Sequence, residues 1–461
     1  MLQLPTEIQL LIIQQLDHEN LSNLALTSHC FCTLATPLLY QNLDNSIHNL
    51  DRVVDTLGRN PSLREYPRSL RIEAWDPNPA REGEIELIDP EEEDADYWGY
   101  RTGLLCRLAK AASPSKEEGV SWARDIRAED SDAWIALLLM FTPRLTRLSV
   151  QFPEAGRWVQ RVIEWTLRRQ FADELPLQHV QDVYISARWF EFQGDNERVT
   201  QWTLMFLGLP ALRRIATDGL SGDDEETAIT CSSSVTHIAI DCCKGLQHLD
   251  RLVANCPKLE SYRHWYHPQS SCRHILDPRD FYPALLRTRD TLKELWLDIF
   301  PGFVIENEYG VHWPSFRDFT VLELLHVPIF LLGDYKDNPA NLEPIFPSSL
   351  KSLHVTQVDK WTLSSLLKSL LDYIPTTPSQ FRELIIANMT IPTFRSATMA
   401  AVEMHTRTPD LTPAERAAPV IRYASELPDL CRQRNIRFGI YGDQDQSLEC
   451  WTLPDPFEYA R

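Results

Sequence analysis

Three imidazoles and a thiol fall within eleven positions of the chain, at His264, His267, Cys272 and His274. Such a set could hold zinc in a tetrahedral site. The spacing argues against it. His264 occupies the third apolar position of a repeated pattern that starts at Leu259, so its ring is expected to point inward, away from His267. The neighbouring Cys242 and Cys243 read as two small residues at a strand end rather than as a redox pair. The chain has no phosphate loop, no GxGxxG, no GxSxG, no HExxH and no CxxC. Carboxylates are abundant, but without geometry none can be paired as acid and base. The expectation is a protein with no catalytic residue, no cofactor and no bound metal.

The elements that would carry such side chains come from a repeat. An apolar-x-x-apolar-x-apolar motif recurs as Leu145-Leu148-Val150, Val180-Val183-Ile185, Val235-Ile238-Ile240, Leu292-Leu295-Leu297, Leu322-Leu325-Val327, Leu350-Leu353-Val355 and Phe381-Leu384-Ile386. Weaker copies start at Leu212 and Leu259, so successive starts lie 23 to 35 residues apart. That spacing brackets, and mostly exceeds, the leucine-rich-repeat period. Helical segments separate the strands at Trp158 to Phe171, Leu246 to Val253 and Leu363 to Tyr373. A strand followed by a helix, stacked about nine times, buries its apolar edges against its neighbours as a solenoid. Ordinary strands of an α/β enzyme are the competing account. Such an enzyme needs glycine-rich or nucleophile turns, and only 16 glycines are present.

Three short helices are expected in the first forty residues. Leu4, Ile8, Leu11, Ile12 and Leu16 share one face, with Pro5 in the first turn, where its missing N–H costs nothing. A second set at Leu21, Leu24, Ala25 and Leu26 has Asn20 as its expected N-cap and an end near Ser28. A third helix is expected to start at Thr36-Pro37 and run through Leu38, Leu39 and Tyr40. So short a unit cannot bury all its apolar residues by itself.

Leu4-Pro5, Glu7-Ile8, Leu16, Leu21 with Leu24, Ser28 and Leu39-Tyr40 together resemble an F-box. The later repeats resemble the degenerate leucine-rich repeats found behind many F-boxes, particularly those of filamentous fungi, with CPKLES and SLKSLHV as typical phrases. The consensus repeat asparagine is missing from most copies, which puts regular curvature in doubt. The resemblance implies that Leu4, Pro5, Ile8, Ile12, Leu16, Leu21 and Leu24 dock on a Skp-type adaptor. That adaptor bridges to a cullin scaffold carrying the ubiquitin-transfer machinery, while the repeats hold a protein target. A scaffold role outside any ligase and a hydrolase with a helical cap are the other two readings.

The expected fold is α/β: an F-box over 1–43, a helical linker over 44–66, and an irregular leucine-rich-repeat solenoid over 67–461. Residues 47 to 62 read as a linker helix closed by Gly58 and Asn60-Pro61, and the first strand is expected at 67–72. Glu82 to Asp96 holds nine carboxylates and no base. It cannot build a core and reads as a disordered insertion near 76–100. A further helix is expected over Pro413 to Leu427, with a closing strand at Ile436-Phe438-Ile440.

Composition sets the remaining bounds. A net charge of −20 argues against a nucleic-acid partner, and no apolar run is long enough to span a membrane. The apolar start lacks a basic leader and carries Glu7, so it does not read as a secretory signal. The protein is therefore expected in the cytoplasm or nucleus, with its ten cysteines as reduced, buried thiols.

In each repeat strand the residue between the second and third apolar positions should point out of the solenoid, because side chains alternate with period two. Stacking then aligns Tyr184, Arg263, Trp296, His326 and His354, with Trp265 one alternation further on. Aromatic and arginine side chains dominate binding hot spots. The expected target site centres on Arg263, Trp265 and Trp296, with Tyr184, His326 and His354 around it.

Overall fold

The computed structural model describes residues 4–45, 50–72, 99–152, 156–170, 175–187, 197–221, 233–244, 247–265, 278–298, 315–333, 341–358, 362–387 and 413–441. The chain divides into two compact units, one of 1–217 with 225–234, the other of 218–224 with 235–461. The acidic stretch Glu82 to Asp96 lies outside the described residues, as do His267, Cys272 and His274.

The first unit opens with α1 (Thr6–Ile13), α2 (His18–Ala25) and α3 (His29–Leu39). Ile13, Leu21, Phe31 and Ala35 form their core, with Leu16, Leu24, Leu34, Leu38 and Leu39 packed around it. The N-cap of α2 is Asp17, not Asn20: its carboxylate accepts the Asn20 N–H at 2.8 Å. Polar His18 and Glu19 fill the first turn, so the helix begins before its apolar periodicity does. Nor does the third helix start at Thr36-Pro37. Ser28 caps it by accepting the Phe31 N–H at 3.2 Å, and Pro37 sits in the last turn, where the ring forgoes a single backbone bond.

Among the described residues, β1 (Asn42–Asn45), β2 (Ser69–Ile72), β3 (Arg147–Phe152), β4 (Asp182–Ala187) and β5 (Arg214–Ser221), the last belonging to this unit through Thr217, lie side by side in chain order. Their pairing is parallel throughout. The sheet thus begins at Asn42, earlier than the 67–72 strand that the sequence pattern marks. Helix α4 (Leu50–Arg59) contains Gly58 rather than stopping at it. A Cβ there would stand 2.8 Å from a Leu105 methyl, so the residue serves close helix approach and not a cap. Helices α5 (Gly99–Ala112), α6 (Lys116–Arg127), α7 (Ser131–Met140), α8 (Trp158–Leu167) and α9 (Glu197–Phe206) complete the unit. Trp122 stacks on Trp158 at 5.4 Å, and Trp165 is tilted against Trp122 at 5.8 Å.

Seven parallel strands build the second unit, again in chain order: β6 (His237–Lys244), β7 (Ser261–Trp265), β8 (Glu294–Asp298), β9 (Leu324–Pro328), β10 (Ser352–Thr356), β11 (Glu383–Ala387) and β12 (Arg437–Tyr441). Helices α10 (Gln247–Ala254), α11 (Pro278–Leu286), α12 (Leu363–Tyr373) and α13 (Pro413–Gln433) lie between strands. Leu295, Leu325, Leu353 and Leu384 occupy equivalent strand positions, and all are fully buried. Successive repeats are tied at the strand entrances, where one carbonyl accepts two consecutive N–H groups of the next repeat. Glu260 O takes those of Lys293 and Glu294, at 2.8 and 3.0 Å, and Glu323 O takes those of Lys351 and Ser352, at 2.8 and 2.9 Å.

Candidate functional site

On α1 the apolar residues separate into two sets. Ile13 is wholly buried, whereas Leu11 is 59% exposed, and Leu4, Ile8 and Ile12 are exposed beside it. Ile8, Leu11 and Ile12 stand at i, i+3 and i+4, so they share a face. Pro5 is exposed as the N-cap, and the Gln9 side-chain amide donates to Leu4 O at 2.7 Å, fixing the start of the helix. Leu21 is buried in the three-helix core, and Leu16 and Leu24 are half-buried against it. The seven expected docking residues thus divide into an outward row, Leu4, Pro5, Ile8 and Ile12, and an inward set that builds the unit. Leu11 and Leu26 add exposed apolar area that the motif alone does not mark.

In the second unit the parallel register places Ala239, Arg263, Trp296, His326, His354 and Ile385 in one row across β6 to β11. Trp296 stacks face to face on His326, with centroids 3.6 Å apart and planes 9° from parallel. His354 stands edge-on to both, at 5.9 and 5.6 Å. Arg263 lies over the Trp296 ring at 5.6 Å and pairs with Glu294 at 2.5 Å, a cation–π contact backed by an ion pair. Trp265 meets Trp296 at 6.3 Å.

The row is less open than the alternation suggests. Trp296, His326 and His354 are 6%, 4% and 4% exposed, while Arg263 and Trp265 are half-buried. Burial holds the His326 imidazole well below its ordinary pKa, and the nearby His354 and Arg263 reinforce this. Burial also lowers His354, against the pull of Glu383. Asp298, one alternation on from Trp296, is pushed up to about 6 by desolvation, although the Gln357 amide donates to it at 3.4 Å. Tyr184 lies in the first unit, half-buried on β4 between Ser149 of β3 and Ala216 of β5.

One cluster has no signature in the linear sequence. Ser352 Oγ lies 2.9 Å from His354 Nε2 and donates to Glu383 Oε2 at 2.7 Å, and that oxygen is 3.1 Å from the same imidazole nitrogen. A nucleophilic triad needs hydroxyl and carboxylate on opposite ring nitrogens. Here both sit on Nε2, so the arrangement ties β10 to β11 and does not activate the serine. The i, i+2 spacing of Ser352 and His354 puts them on one strand face; only the register adds Glu383.

His264 is buried, as its place in the repeat implies, and the Tyr262 hydroxyl lies 3.2 Å from its Nδ1. Burial pushes it down to about 4. Among the described residues no group of His, Cys, Asp and Glu could hold a metal ion. Cys30 and Cys32 are exposed on α3, contrary to the expectation of uniformly buried thiols, because both face away from the side carrying Phe31 and Ala35. Cys106, Cys256 and Cys431 are buried thiols outside any disulfide. No helix among the described residues is long and apolar enough to cross a membrane.

A strand-and-helix repeat with parallel pairing throughout each unit, preceded by a three-helix unit with an exposed apolar row, defines the class. The model of the leucine-rich repeat domain matches residues 111–407, more than half of the chain, and the chain belongs to that family. An F-box-like model matches residues 1–46, so this is an F-box protein with leucine-rich repeats. No curated protein matches the chain. Both modules typically serve protein–protein interaction, and together they support the adaptor role of an F-box protein.

Proposed function

We propose that the protein is the substrate-recognition subunit of an SCF-type ubiquitin ligase. It docks on a Skp-type adaptor, and through it on a cullin, by the F-box, and it holds a protein target on the repeats. The observation that carries this reading is the outward row Leu4, Ile8, Leu11 and Ile12, exposed on a unit whose own core is already filled by Ile13, Leu21, Phe31 and Ala35. An apolar face of this kind, rimmed by polar residues, marks an interaction site.

In this reading the chain itself is non-catalytic and takes no cofactor. It works in the cytoplasm or nucleus. Its contribution is proximity, keeping a target lysine near a ubiquitin-charged enzyme on the scaffold. Arg263 and Trp265 are the target-facing members of the repeat site, supported from behind by Trp296, His326 and His354. Tyr184 is a further contact in the first unit.

The test is copurification of the intact protein with the adaptor, using a chain lacking residues 1 to 43 as control. The double substitution Leu4→Ala with Pro5→Ala should abolish capture of the adaptor while the repeats stay folded, since both side chains are exposed. Wild-type capture by the double mutant would sink the ligase reading at its first step.

A further inference from the structure

The residues that precede β7 to β11 carry charges in an ordered series: Glu260, Lys293, Glu323, Lys351, Arg382. Neighbours pair off along it, Lys293 with Glu260 at 2.9 Å and Lys351 with Glu323 at 2.7 Å. Arg382 comes last. It is exposed, and among the described residues its guanidinium has no carboxylate partner. Where the series would continue, ahead of β12, stands the buried apolar Ile436.

Two more guanidiniums are brought to the same place by the end of α13. Asn435 adopts the left-handed conformation, with φ of 58°, which asparagine tolerates better than most residues. The Asn435 N–H donates to Arg432 O at 3.1 Å and the Ile436 N–H donates to Cys431 O at 2.8 Å, a Schellman closure that reverses the chain sharply into β12. The reversal sets Arg432 and Arg437 on a cleft of about 440 Å³ together with Arg382, Asn435, Pro428 and Phe438. Arg432 keeps Asp429 at 2.7 Å and Arg437 keeps Glu383 at 3.2 Å, yet both remain largely exposed. Arg434 takes no part, because it donates to Thr377 O at 2.7 Å.

Three arginines on one cleft stand out in a chain of net charge −20. Guanidinium forks match carboxylates two bonds at a time, and the open end of the charge series calls for a carboxylate. The overall negative charge disfavours an extended nucleic acid but leaves room for a short acidic segment. We propose that this cleft binds an Asp- or Glu-rich segment of a partner protein, its carboxylates on Arg382, Arg432 and Arg437 and its aliphatic stems against Pro428 and Phe438. The proposal does not depend on the F-box docking.

Fluorescence polarisation with the full-length chain tests it, using labelled, amidated octaglutamate as probe and octaserine as blank. Octaglutamate should bind saturably, octaserine should not, and raising the salt from about 50 to 200 mM should weaken binding, as for exposed charges. Arg382→Glu with Arg432→Glu should weaken it by about tenfold or more, equivalent to at least about 1.4 kcal/mol. Arg382→Ala, which removes an exposed side chain with no carboxylate partner among the described residues, should weaken it in a chain whose unfolding midpoint is unchanged. Equal affinity in wild type and both variants would overturn the proposal. So would tightening of the probe by about tenfold when the nine carboxylates of Glu82 to Asp96 are neutralised or the chain is ended after Tyr441, since the occupant would then be the chain itself. Tighter binding of single-stranded oligonucleotide than of octaglutamate, lost in the same variants, would also overturn it.

Discussion

The rings of Trp296 and His326 lie face to face on adjacent strands, their centroids 3.6 Å apart and their planes within 9° of parallel. The contact follows from register, since Trp296 pairs directly with His326 across β8 and β9. It joins neutral rings: burial holds His326 far below its ordinary pKa, so at neutral pH the imidazole stacks as an uncharged aromatic. The same Trp296 ring also meets the Arg263 guanidinium, 5.6 Å from its centroid.

Truncating a buried aromatic costs about 3 to 5 kcal/mol. Trp296→Ala is therefore expected to lower stability in that range, measured by denaturant unfolding. Trp265→Ala, at a half-buried position, should cost clearly less. With the roles proposed for the repeat face, Trp265→Ala should reduce target capture while adaptor capture persists, whereas Trp296→Ala should reduce capture only in proportion to the folded fraction lost. Equal destabilisation by the two substitutions would show that Trp265 is part of the core.

On α1 a single step of sequence separates Ile13, fully buried, from Ile12, exposed. Ile13→Ala should destabilise the N-terminal unit by about 2 to 5 kcal/mol. Leu11→Ala, at an exposed site, should stay within about 0.5 kcal/mol yet weaken adaptor binding. Hydrogen exchange of α1 to α3 reports the first effect and copurification the second. Loss of folding in both variants would mean that the outward row also packs internally.

The repeat strands were legible because their signal is redundant. In the motifs from Leu145 to Phe381 every second and third apolar residue is buried, and the series of starts preserves the register that aligns Arg263, Trp296, His326 and His354. Two helices start upstream of where the pattern marks them: Asp17 caps a first turn of polar His18 and Glu19, and Ser28 caps a helix that takes in Phe31, Leu34 and Ala35 ahead of Thr36-Pro37, so Pro37 is no start signal there. Helix α7 had no period to detect, since SDAWIALLLM is buried on nearly every side. Strand β1 has no sequence pattern of its own, because NLDN offers one buried apolar residue, Leu43, and gains its place from pairing with β2. The closed state of the aromatic row was invisible for a different reason. Alternation says which side of the sheet a residue takes, and only the packing of neighbouring rings says how much of it water reaches.

Acid titration gives the last expected outcome. His264 is folded with a pKa near 4 against an ordinary value of 6.5, because burial disfavours the imidazolium. Its contribution to stability is fully present above pH 6.5 and is lost as the pH falls toward 4, since the unfolded chain takes up the proton first. Across that window it amounts to roughly 3 kcal/mol. Buried carboxylates act in the opposite sense. Burial raises Asp132 to about 7, against the N–H groups of Trp158 and Val159 that its carboxylate caps at the start of α8. Desolvation and the nearby Asp241 raise Asp218 to about 7 as well. Each carboxylate's favourable contribution is present at acid pH and lost as the pH rises from 3.8 through 7. Two such carboxylates outweigh one histidine, so the sum of these three groups should fall, not rise, between pH 4 and 6.5. His264→Leu removes one side of the balance. The variant, compared with wild type by urea unfolding at several pH values, should lose least relative to wild type at pH 4 and most above pH 6.5. A difference between the two that does not change across the window would mean that His264 titrates normally and that water reaches its ring.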